Sequence, residues 1–339
     1  MIETFQERIR QAAERRAPLR LRGGGSKDFY GNAPSGEVLD TRGYAGIVSY
    51  EPTELVVTAR CGTPLAELEE ALAENNQFLP FEPPHFGPGA TLGGCVAAGL
   101  AGPRRAAAGA VRDFVLGTKL IDGRGRVLQF GGAVMKNVAG YDVSRLLAGS
   151  LGTLGLIAEA SLKVLPRPPS ERTLGLEASE SDALEKMNHW AGQPLPISAT
   201  AWHDGRLFVR LSGSEAAVHA AAHRIGGEKS EPGIWHELKE QTHPFFAGAG
   251  PLWRISLPST APLDLPGKKL IEWGGGLRWV KGDASVRRAA PGATLFRASD
   301  KSTGAFAPLE PVNARLHQSI KKAFDPAGIL NPGRMYADF

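Results

Sequence analysis

The stretch that decides the fold is FGPGATLGGCVAAGLAGP, from Phe86 to Pro103. It carries no acidic or basic side chain, and nearly every residue in it is small. Its six glycines leave the backbone bare, so that N–H groups can approach an oxyanion, and Thr91 supplies its one hydroxyl. The run from Gly93 to Ala101 predicts a small-residue helix whose first amides face the same anion. Two interpretations remain: a phosphate cradle, or a glycine-rich turn before a tightly packed helix.

Length and composition predict a globular protein of two domains. The 339 residues can bury a large core, and the 42 glycines and 25 prolines indicate many turns. The net charge of +4 slightly favours an anionic ligand, but no block of Lys and Arg indicates nucleic-acid binding. Cys61 and Cys95 lie far apart, so we expect neither a disulfide framework nor a cysteine metal site.

The cellular location is predicted from two features. The N-terminal residues MIETFQERIRQAAERR are charged and helical in pattern, without the apolar core of a signal peptide. No apolar run reaches ~18 residues, so we expect no membrane-spanning segment. Both features predict a cytoplasmic protein.

Two further glycine-rich elements accompany the opening stretch. A short strand at Leu19 to Leu21 leads into RGGGSK, Arg22 to Lys27, where an arginine, a serine and a lysine flank three glycines. This order differs from a Walker loop, and an exposed charged loop is the alternative interpretation. A turn from Gly149 to Gly155 precedes a strand of alternating character from Leu156 to Leu165. Three cradles in one α+β module suit a long dinucleotide better than a single phosphate.

The rest of this module is predicted from local patterns. Strands are predicted at Ile47 to Tyr50 and Leu55 to Arg60, before a helix that Thr63 caps and Pro64 begins. The turn Asp122-Gly123-Arg124-Gly125 predicts a hairpin. Its strands are expected at Phe114–Ile121 and Val127–Phe130, and a short helix at Asp142–Leu147.

Pro166-Arg167-Pro168-Pro169 predicts a domain boundary. Beyond it, strands and helices alternate, which predicts an antiparallel sheet with helices on one face. The predicted strands and helices are Arg172–Glu177, Asp182–Ala191, Ile197–Trp202, Arg206–Leu211, Glu215–Ile225, Trp253–Leu257, Lys269–Trp273 and Leu277–Val280. A last helix, Leu309 to Ala323, stops at FDPAGILNPGRMY.

Five motifs in this order resemble those of the FAD-linked oxidase family, also called the vanillyl-alcohol-oxidase type. They are RGGGSK, PGATLGG with its helix, KNVAGYD, GSLGTLGLIAEASLKVLP and DPAGILNPGR. Within the family, two features are most similar to the FAD-binding subunits of bacterial glycolate oxidases. They are the segment RGGGSKDFYG and the short second domain, or cap, that follows residue 166. The resemblance implies an α+β fold with a two-part FAD-binding domain at 1–166 and a smaller antiparallel, ferredoxin-like cap at 167–305. A helix and loop at 306–339 would return to the FAD-binding domain.

The resemblance also implies the residues that contact FAD. Two loops would hold the pyrophosphate with backbone amides: Arg22, Gly23, Gly24, Gly25, Ser26 and Lys27, with Pro88, Gly89, Ala90, Thr91, Leu92, Gly93 and Gly94. Gly140, Tyr141 and Asp142 would lie beside the flavin and ribityl chain, although Asp142 could instead cap its short helix. Gly152, Gly155 and Ile157 match the turn and strand at the adenine end, and Asn331 and Arg334 match the terminal loop near the flavin.

Two departures from the family pattern matter. The RGGGSK loop has no His or Cys that could join FAD covalently, so we expect non-covalent FAD and a buried structural thiol at Cys95. The 2-hydroxy-acid dehydrogenases of the family carry a His-x-Gly-Asp-Gly-Asn-x-His motif for a divalent metal. In this chain the most similar segment is His203-Asp204-Gly205-Arg206, which we interpret as a hairpin turn. We therefore expect no metal. Trp273 and Trp279 are interpreted as core of the cap sheet, with a pocket between cap and flavin or a surface for a partner as the alternatives.

The resemblance implies an FAD-dependent oxidoreductase acting on CH–OH groups. The chain would be a subunit of glycolate oxidase, with a catalytic FAD subunit and an iron–sulfur subunit as partners and a small 2-hydroxy acid as substrate. Because the metal motif is missing, the chain would relay electrons or complete the assembly, and any membrane docking would come from the partners. The alternatives are a structural subunit with idle or absent FAD, and a stand-alone oxidase of another 2-hydroxy acid or alcohol. The sequence indicates no catalytic base.

Overall fold

The computed structural model describes residues 1–132, 142–261 and 264–339. Its two large sheets come from different parts of the chain, one of five strands from residues 47–163 and one of eight strands from residues 170–297. This separation agrees with the α+β class. The division of the chain into domains at 166 and 305 stays a prediction.

The N-terminal elements form a small layer of their own. Helix α1 (Ile2–Arg15) buries the apolar stripe of Phe5, Ile9 and Ala12. Strand β1 (Leu19–Arg22) pairs in parallel with β2 (Glu37–Asp40). The C-terminal segment joins the same layer, because Leu19 forms a parallel bridge with Leu330.

The next elements build the five-stranded sheet, which is antiparallel and has the order β3-β4-β8-β6-β7. In chain order they are β3 (Ile47–Glu51), β4 (Val56–Arg60), α2 (Leu65–Glu74), β5 (Gln77–Phe78), α3 (Leu92–Ala98), α4 (Arg105–Ala108), α5 (Val111–Phe114), β6 (Val115–Ile121), β7 (Val127–Gly131), α6 (Val143–Leu147), β8 (Leu156–Lys163) and β9 (Leu165–Pro166). The predicted hairpin at Asp122 is confirmed: its buried carboxylate accepts the backbone N–H groups of Arg124 and Arg126.

Three local predictions in this module are wrong. Thr63 does not cap α2, because its hydroxyl instead pairs with the backbone of Gly46, and Pro64 lies before the first helical residue. Strand β8 does not alternate between core and solvent. It lies in the centre of the sheet, so nearly all of its residues are buried. Helix α3 ends at Ala98, three residues early, since Gly99 adopts the left-handed conformation (φ 63°).

The second sheet follows Pro169. In chain order its elements are β10 (Ser170–Glu177), α7 (Glu180–Ala191), β11 (Ile197–His203), β12 (Arg206–Gly213), α8 (Glu215–Ile225), β13 (Glu228–Lys229), α9 (Gly233–Glu240), β14 (Leu252–Ser256), β15 (Lys268–Glu272), β16 (Leu277–Lys281), α10 (Ser285–Ala289) and β17 (Thr294–Arg297). Asp204 and Gly205, both with positive φ, make the two-residue turn between β11 and β12. The hairpin interpretation of His203 to Arg206 is therefore confirmed.

The eight strands form two ferredoxin-like units side by side. The first has the order β13-β10-β12-β11 with crossover helices α7 and α8. The second repeats that order as β17-β14-β16-β15, with α10 as a crossover helix. The units meet where β11 pairs antiparallel with β15. The predicted ferredoxin-like cap is confirmed, and the second unit extends it.

The helices of the cap do not all lie on one face, as the sequence had predicted. Helices α7 and α8 pack on the face formed by Leu207, Val209 and Leu211. Helix α9, which the sequence analysis missed, packs through Trp235 and Leu238 against the other face. That second face also contacts Tyr30, Ala98 and Leu100. It is therefore the surface through which the cap meets the glycine-rich elements.

The chain ends with α11 (Pro311–Phe324) and a loop that returns to the N-terminal layer. Lys321 is buried here and donates to Asp325 and to the carbonyls of Thr153 and Leu330, all within 2.8 Å. One ammonium group thus fastens the helix, the terminal loop and the turn after α6.

Candidate cofactor-binding cleft

The predicted pyrophosphate loops touch each other backbone to backbone. A Cβ atom on Gly24 would overlap the carbonyl oxygen of Gly89, and one on Gly23 would overlap the hydroxyl of Thr91. Glycine is required here because no side chain fits between the loops. The glycine-rich turn from Gly149 to Gly155 packs against them. Its Gly149 and Leu151 amides donate to the carbonyls of Val96 and Ala97 at the end of α3 (3.0 and 2.8 Å).

Two adjoining cavities run between these elements. The first, about 90 Å³, is lined by the whole loop from Arg22 to Lys27 together with Thr91, Gly94, Asn331 and Arg334. The second, about 70 Å³, continues past Gly94 and Asn331 to Gly152, Gly155 and Ile157. The structure therefore brings together residues from four distant segments into one narrow cleft.

The first loop presents a row of unused backbone donors. Among the described residues, none of the five amides from Gly23 to Lys27 has a hydrogen-bond acceptor. The loop's carbonyls at Arg22 and Gly25 do accept bonds, from Thr41 and Asp28. Since backbone N–H groups in a partly buried loop require an acceptor, the loop is complementary to an anion with several oxygens.

The first turn of α3 does not contribute in this way. The amides of Leu92 and Gly93 donate to the carbonyls of Thr63 and Cys61 (2.9 and 2.8 Å). The Gly94 amide meets the Thr91 hydroxyl at 3.3 Å, so Thr91 caps the helix. The prediction that the helix amides face an anion is wrong, because carbonyls in the turn after β4 already accept their hydrogen bonds. Gly93 is needed for packing, since a Cβ atom there would lie 2.7 Å from that of Cys61.

The cleft has an excess of positive charge. Arg20, Arg22, Lys27 and Arg334 line it with Asp28 as the acid, which pairs with Arg20 and, at 3.0 Å, with Arg22. Burial lowers the pKa of Arg334 to about 10 and also lowers the pKa of Lys27. Burying cations without matching acids is unfavourable. A bound diphosphate would compensate this cost, so the donor set fits such a group.

The terminal loop is positioned by Asn331 and Arg334. The Asn331 side chain accepts the Leu21 amide (2.7 Å) and donates to the Leu151 carbonyl (2.6 Å). Arg334 donates to the carbonyls of Asp28 (2.9 Å) and Asn32. These contacts place the terminal loop against both the first glycine loop and the turn after α6.

The cap also anchors the opening stretch. The carboxylate of Glu240, at the end of α9, accepts the amides of His85 (3.1 Å) and Phe86 (2.8 Å). Lys27 in turn donates to the His85 carbonyl (3.3 Å). The entrance to the second glycine loop is therefore fixed both by helix α9 and by the first glycine loop.

Several predicted site residues do not line the cleft. Ala90 and Leu92 are buried in the hydrophobic core, and Pro88 and Gly89 line neither cavity.

Asp142 accepts the Arg145 amide (3.1 Å) and caps α6, so the capping interpretation describes its contacts. Gly140 and Tyr141 lie outside the described residues. Cys95 is fully buried, and burial raises the pKa of its thiol to about 12, as expected for a structural cysteine.

The first cavity is also lined by residues that no sequence motif predicted: Arg20, Ala97, Ala98 and Leu151. Arg20 and Arg22 alternate with leucines in β1, so strand periodicity could have assigned both to one face. Ala97 and Ala98 lie in the small-residue helix, where their size leaves room beside the loop.

Comparison with known proteins gives matches along the whole chain. Residues 2–131 match the model of the FAD binding domain family, and residues 307–335 match the C-terminal domain of FAD linked oxidases. The chain is 52% identical over 344 residues to the glycolate oxidase subunit GlcE of Escherichia coli K12, covering 99% of this chain and 97% of the relative. It is 32% identical over 164 residues to the glycolate oxidase subunit GlcD of Bacillus subtilis 168, covering 48% and 35%.

Solved structures share the fold at low identity. The 4-ethylphenol oxidase from Gulosibacter chungangensis, with isoeugenol, gives a TM-score of 0.74 at 15% identity over 99% of this chain and 88% of that one. An alkyldihydroxyacetonephosphate synthase gives 0.66 at 16% identity, over 97% and 74%. Over the described residues, every helix is too short or too polar to cross a membrane.

Proposed function

We propose that this chain, which belongs to the family of FAD-linked oxidases, is the FAD-binding subunit of a glycolate oxidase. The observation that carries this proposal is the 52% identity to the GlcE subunit over nearly the full length of both chains. As an FAD-dependent oxidoreductase acting on CH–OH groups, it takes part in the oxidation of glycolate to glyoxylate. Its partners are a catalytic FAD subunit of the GlcD kind and an iron–sulfur subunit. The chain is cytoplasmic, and any contact with the inner membrane is made by the partners.

FAD is the cofactor of this family, and the cleft is its site. The free amides from Gly23 to Lys27 bind the diphosphate, with Arg22, Lys27 and Arg334 neutralising its charge. The second cavity, at Gly152, Gly155 and Ile157, takes the adenine end, and Asn331 fixes the terminal loop over the cofactor. The flavin supplies the redox chemistry, while the protein orients it and excludes water. The cofactor is held without a covalent bond, since the glycine loop offers no His or Cys.

Within the complex the chain acts as an electron relay or completes the assembly. The metal motif that holds a substrate carboxylate in the family's 2-hydroxy-acid dehydrogenases is missing from the sequence, and His203 to Arg206 form a hairpin instead. This difference favours substrate oxidation on the partner subunit.

Purification tests the proposal. The chain is isolated alone and with its partners, and the flavin absorbance is followed anaerobically as glycolate is added. A yellow chain that bleaches only with the partners supports the relay, whereas bleaching of the chain alone supports a self-sufficient oxidase. A colourless chain that takes up no FAD refutes a redox role and leaves the structural subunit.

A further inference from the structure

Lys301 joins the loop after β17 to the segment that follows the first glycine loop. Its ammonium group donates to the carbonyl oxygens of Phe29, of Gly31 (3.1 Å) and of Phe296 in β17 (3.1 Å). An ammonium group has three N–H donors, so each of them has a carbonyl acceptor. Phe29 and Gly31 follow closely on Lys27, the last residue of the glycine loop. The cap therefore holds the chain directly beyond the row of unused amides.

Asn32 strengthens this connection. Its side-chain oxygen accepts the Ala305 amide (2.8 Å), and its side-chain N–H group donates to the Gly333 carbonyl (2.9 Å). The loop after β17 is itself held in place, because Arg287 donates to the backbone carbonyls of residues 303–305 within 3.0 Å. Lys301 thus acts from a fixed loop, and the terminal loop meets the same segment.

Strand β17 also packs against the two segments that adjoin the glycine loops. The ring of Phe296 lies 5.4 Å from that of Phe29 and 5.2 Å from that of Tyr30, measured between ring centroids. The guanidinium of Arg297 lies over the rings of Phe29 (4.2 Å) and Phe86 (5.1 Å). Phe86 begins the stretch that carries the second glycine loop. This edge of the cap sheet therefore contacts the chain beside both loops.

The contact adds positive charge next to the cleft. Burial lowers the pKa of Lys301 to about 8, and the charges of Arg334 and Arg297 lower it as well. Asp28, the acid of the cleft, pairs with two other arginines instead. A diphosphate bound beside Arg334 would bring negative charge to this cluster, which favours the protonated form of Lys301.

Other titratable or charged groups surround Lys301 on each element that packs there. They are Lys27, Asp28 and Tyr30 of the first segment, Arg297 of β17, Asp300 of the same loop, His317 of α11, and Arg334, Tyr336 and Asp338 of the terminal loop. Burial raises the pKa of Tyr30 and of Tyr336 above 10. Burial lowers the pKa of Lys27. Lys27 is therefore the second ammonium group whose titration a pH experiment must separate from that of Lys301.

We infer that Lys301 is a positioning residue through which the cap holds the first glycine loop in its cofactor-binding conformation, and that its positive charge favours the bound diphosphate. Lys301 lines neither cavity of the cleft, so it acts through the loop and through its charge. The inference rests on the proposed function, because it takes the cleft as the FAD site. It deepens that function by making FAD retention depend on a residue of the cap side.

The first test titrates FAD into the apo chain at pH 7 and follows the flavin fluorescence. Lys301→Met should weaken FAD binding roughly tenfold or more, because the loop amides lose their preorganised positions. Lys229→Met is the matched control, since Lys229 is exposed on β13, at the opposite edge of the same sheet. It should leave the affinity unchanged. Thermal unfolding without FAD shows whether each variant is folded.

A pH profile separates the role of the charge from a merely structural role. If FAD raises a Lys301 pKa that is about 8 in the apo chain, binding takes up a proton, and the affinity falls as pH rises through 8. Between pH 7 and pH 9 the wild-type affinity should fall, by up to about tenfold from Lys301 alone. Lys301→Met should lose this share of the pH dependence, while any share of Lys27 remains in both chains. A structural loss alone would weaken binding equally at both pH values.

Two results would overturn the inference. One is a Lys301→Met chain that binds FAD at pH 7 as tightly as the wild type, and the other is a wild-type affinity that is equal at pH 7 and pH 9. The second measurement needs no variant, so it decides the question even where Lys301→Met does not fold. A wild-type chain that takes up no FAD would refute the proposed function instead, so the two failures are distinguishable.

Discussion

Replacing Gly24 by alanine should abolish most FAD binding and leave the fold intact. A Cβ atom at this position would overlap the Gly89 carbonyl oxygen and lie 3.0 Å from the Gly89 Cα. The loops would have to separate by roughly 2 Å to reach ordinary van der Waals contact. Hydrogen bonds do not survive such a displacement. If two of the five free amides lose the diphosphate, at about 1.5–3 kcal/mol each, FAD affinity falls roughly 150-fold to 20,000-fold.

The assay titrates FAD into the apo chain and follows the flavin fluorescence. Gly292→Ala is the matched control, because a Cβ atom there meets no atom within 4 Å. Thermal unfolding without FAD checks that each variant is folded. A Gly24→Ala chain that binds FAD as tightly as the wild type would show that the backbones of these loops do not hold the diphosphate.

Three further substitutions test other contacts. Burial raises the pKa of Glu272 from 4.5 to about 7, so protonation stabilises the fold below pH 4.5 and this contribution is lost as pH rises through about 7. In urea titrations from pH 4 to 8, Glu272→Gln should therefore gain about 3 kcal/mol relative to the wild type, and a constant difference would contradict this. Lys321→Met leaves the buried Asp325 carboxylate without its cation, with the Leu330 amide still donating to it, and should cost about 3–5 kcal/mol of unfolding free energy; a cost below ~1 kcal/mol would exclude the ion pair. Asp142→Ala should cost about 1 kcal/mol by removing the α6 cap and leave FAD affinity unchanged, whereas weaker FAD binding would favour a flavin contact.

The glycine pattern predicted where the loops lie but could not show which of their amides are free. Gly24 and Gly89 have the residue type that touching backbones require, so the sequence carried that information. The amides of Leu92 and Gly93 look equally available in the sequence. They are used by Thr63 and Cys61, about 30 residues earlier, and a contact over that distance leaves no local pattern.

In the cap, too, the sequence predicted local elements but not the contacts between distant residues. The alternation of apolar residues predicted the ends of most strands to within two residues. The short helix α9 was not predicted, because it begins at a glycine, Gly233, directly after Pro232. Gln241, Arg254 and Glu272 have no common motif in the sequence. They line one small cavity only because β14, β16 and β15 pair in a particular register and α9 packs on that face.

The central claim is that the cleft holds one non-covalent FAD, and the flavin content of the purified chain tests it most directly. We expect a yellow protein with one FAD per chain, all of which acid precipitation releases into the supernatant. Flavin that stays with the precipitate would contradict the non-covalent site. A chain that stays colourless after incubation with FAD would contradict the cleft itself.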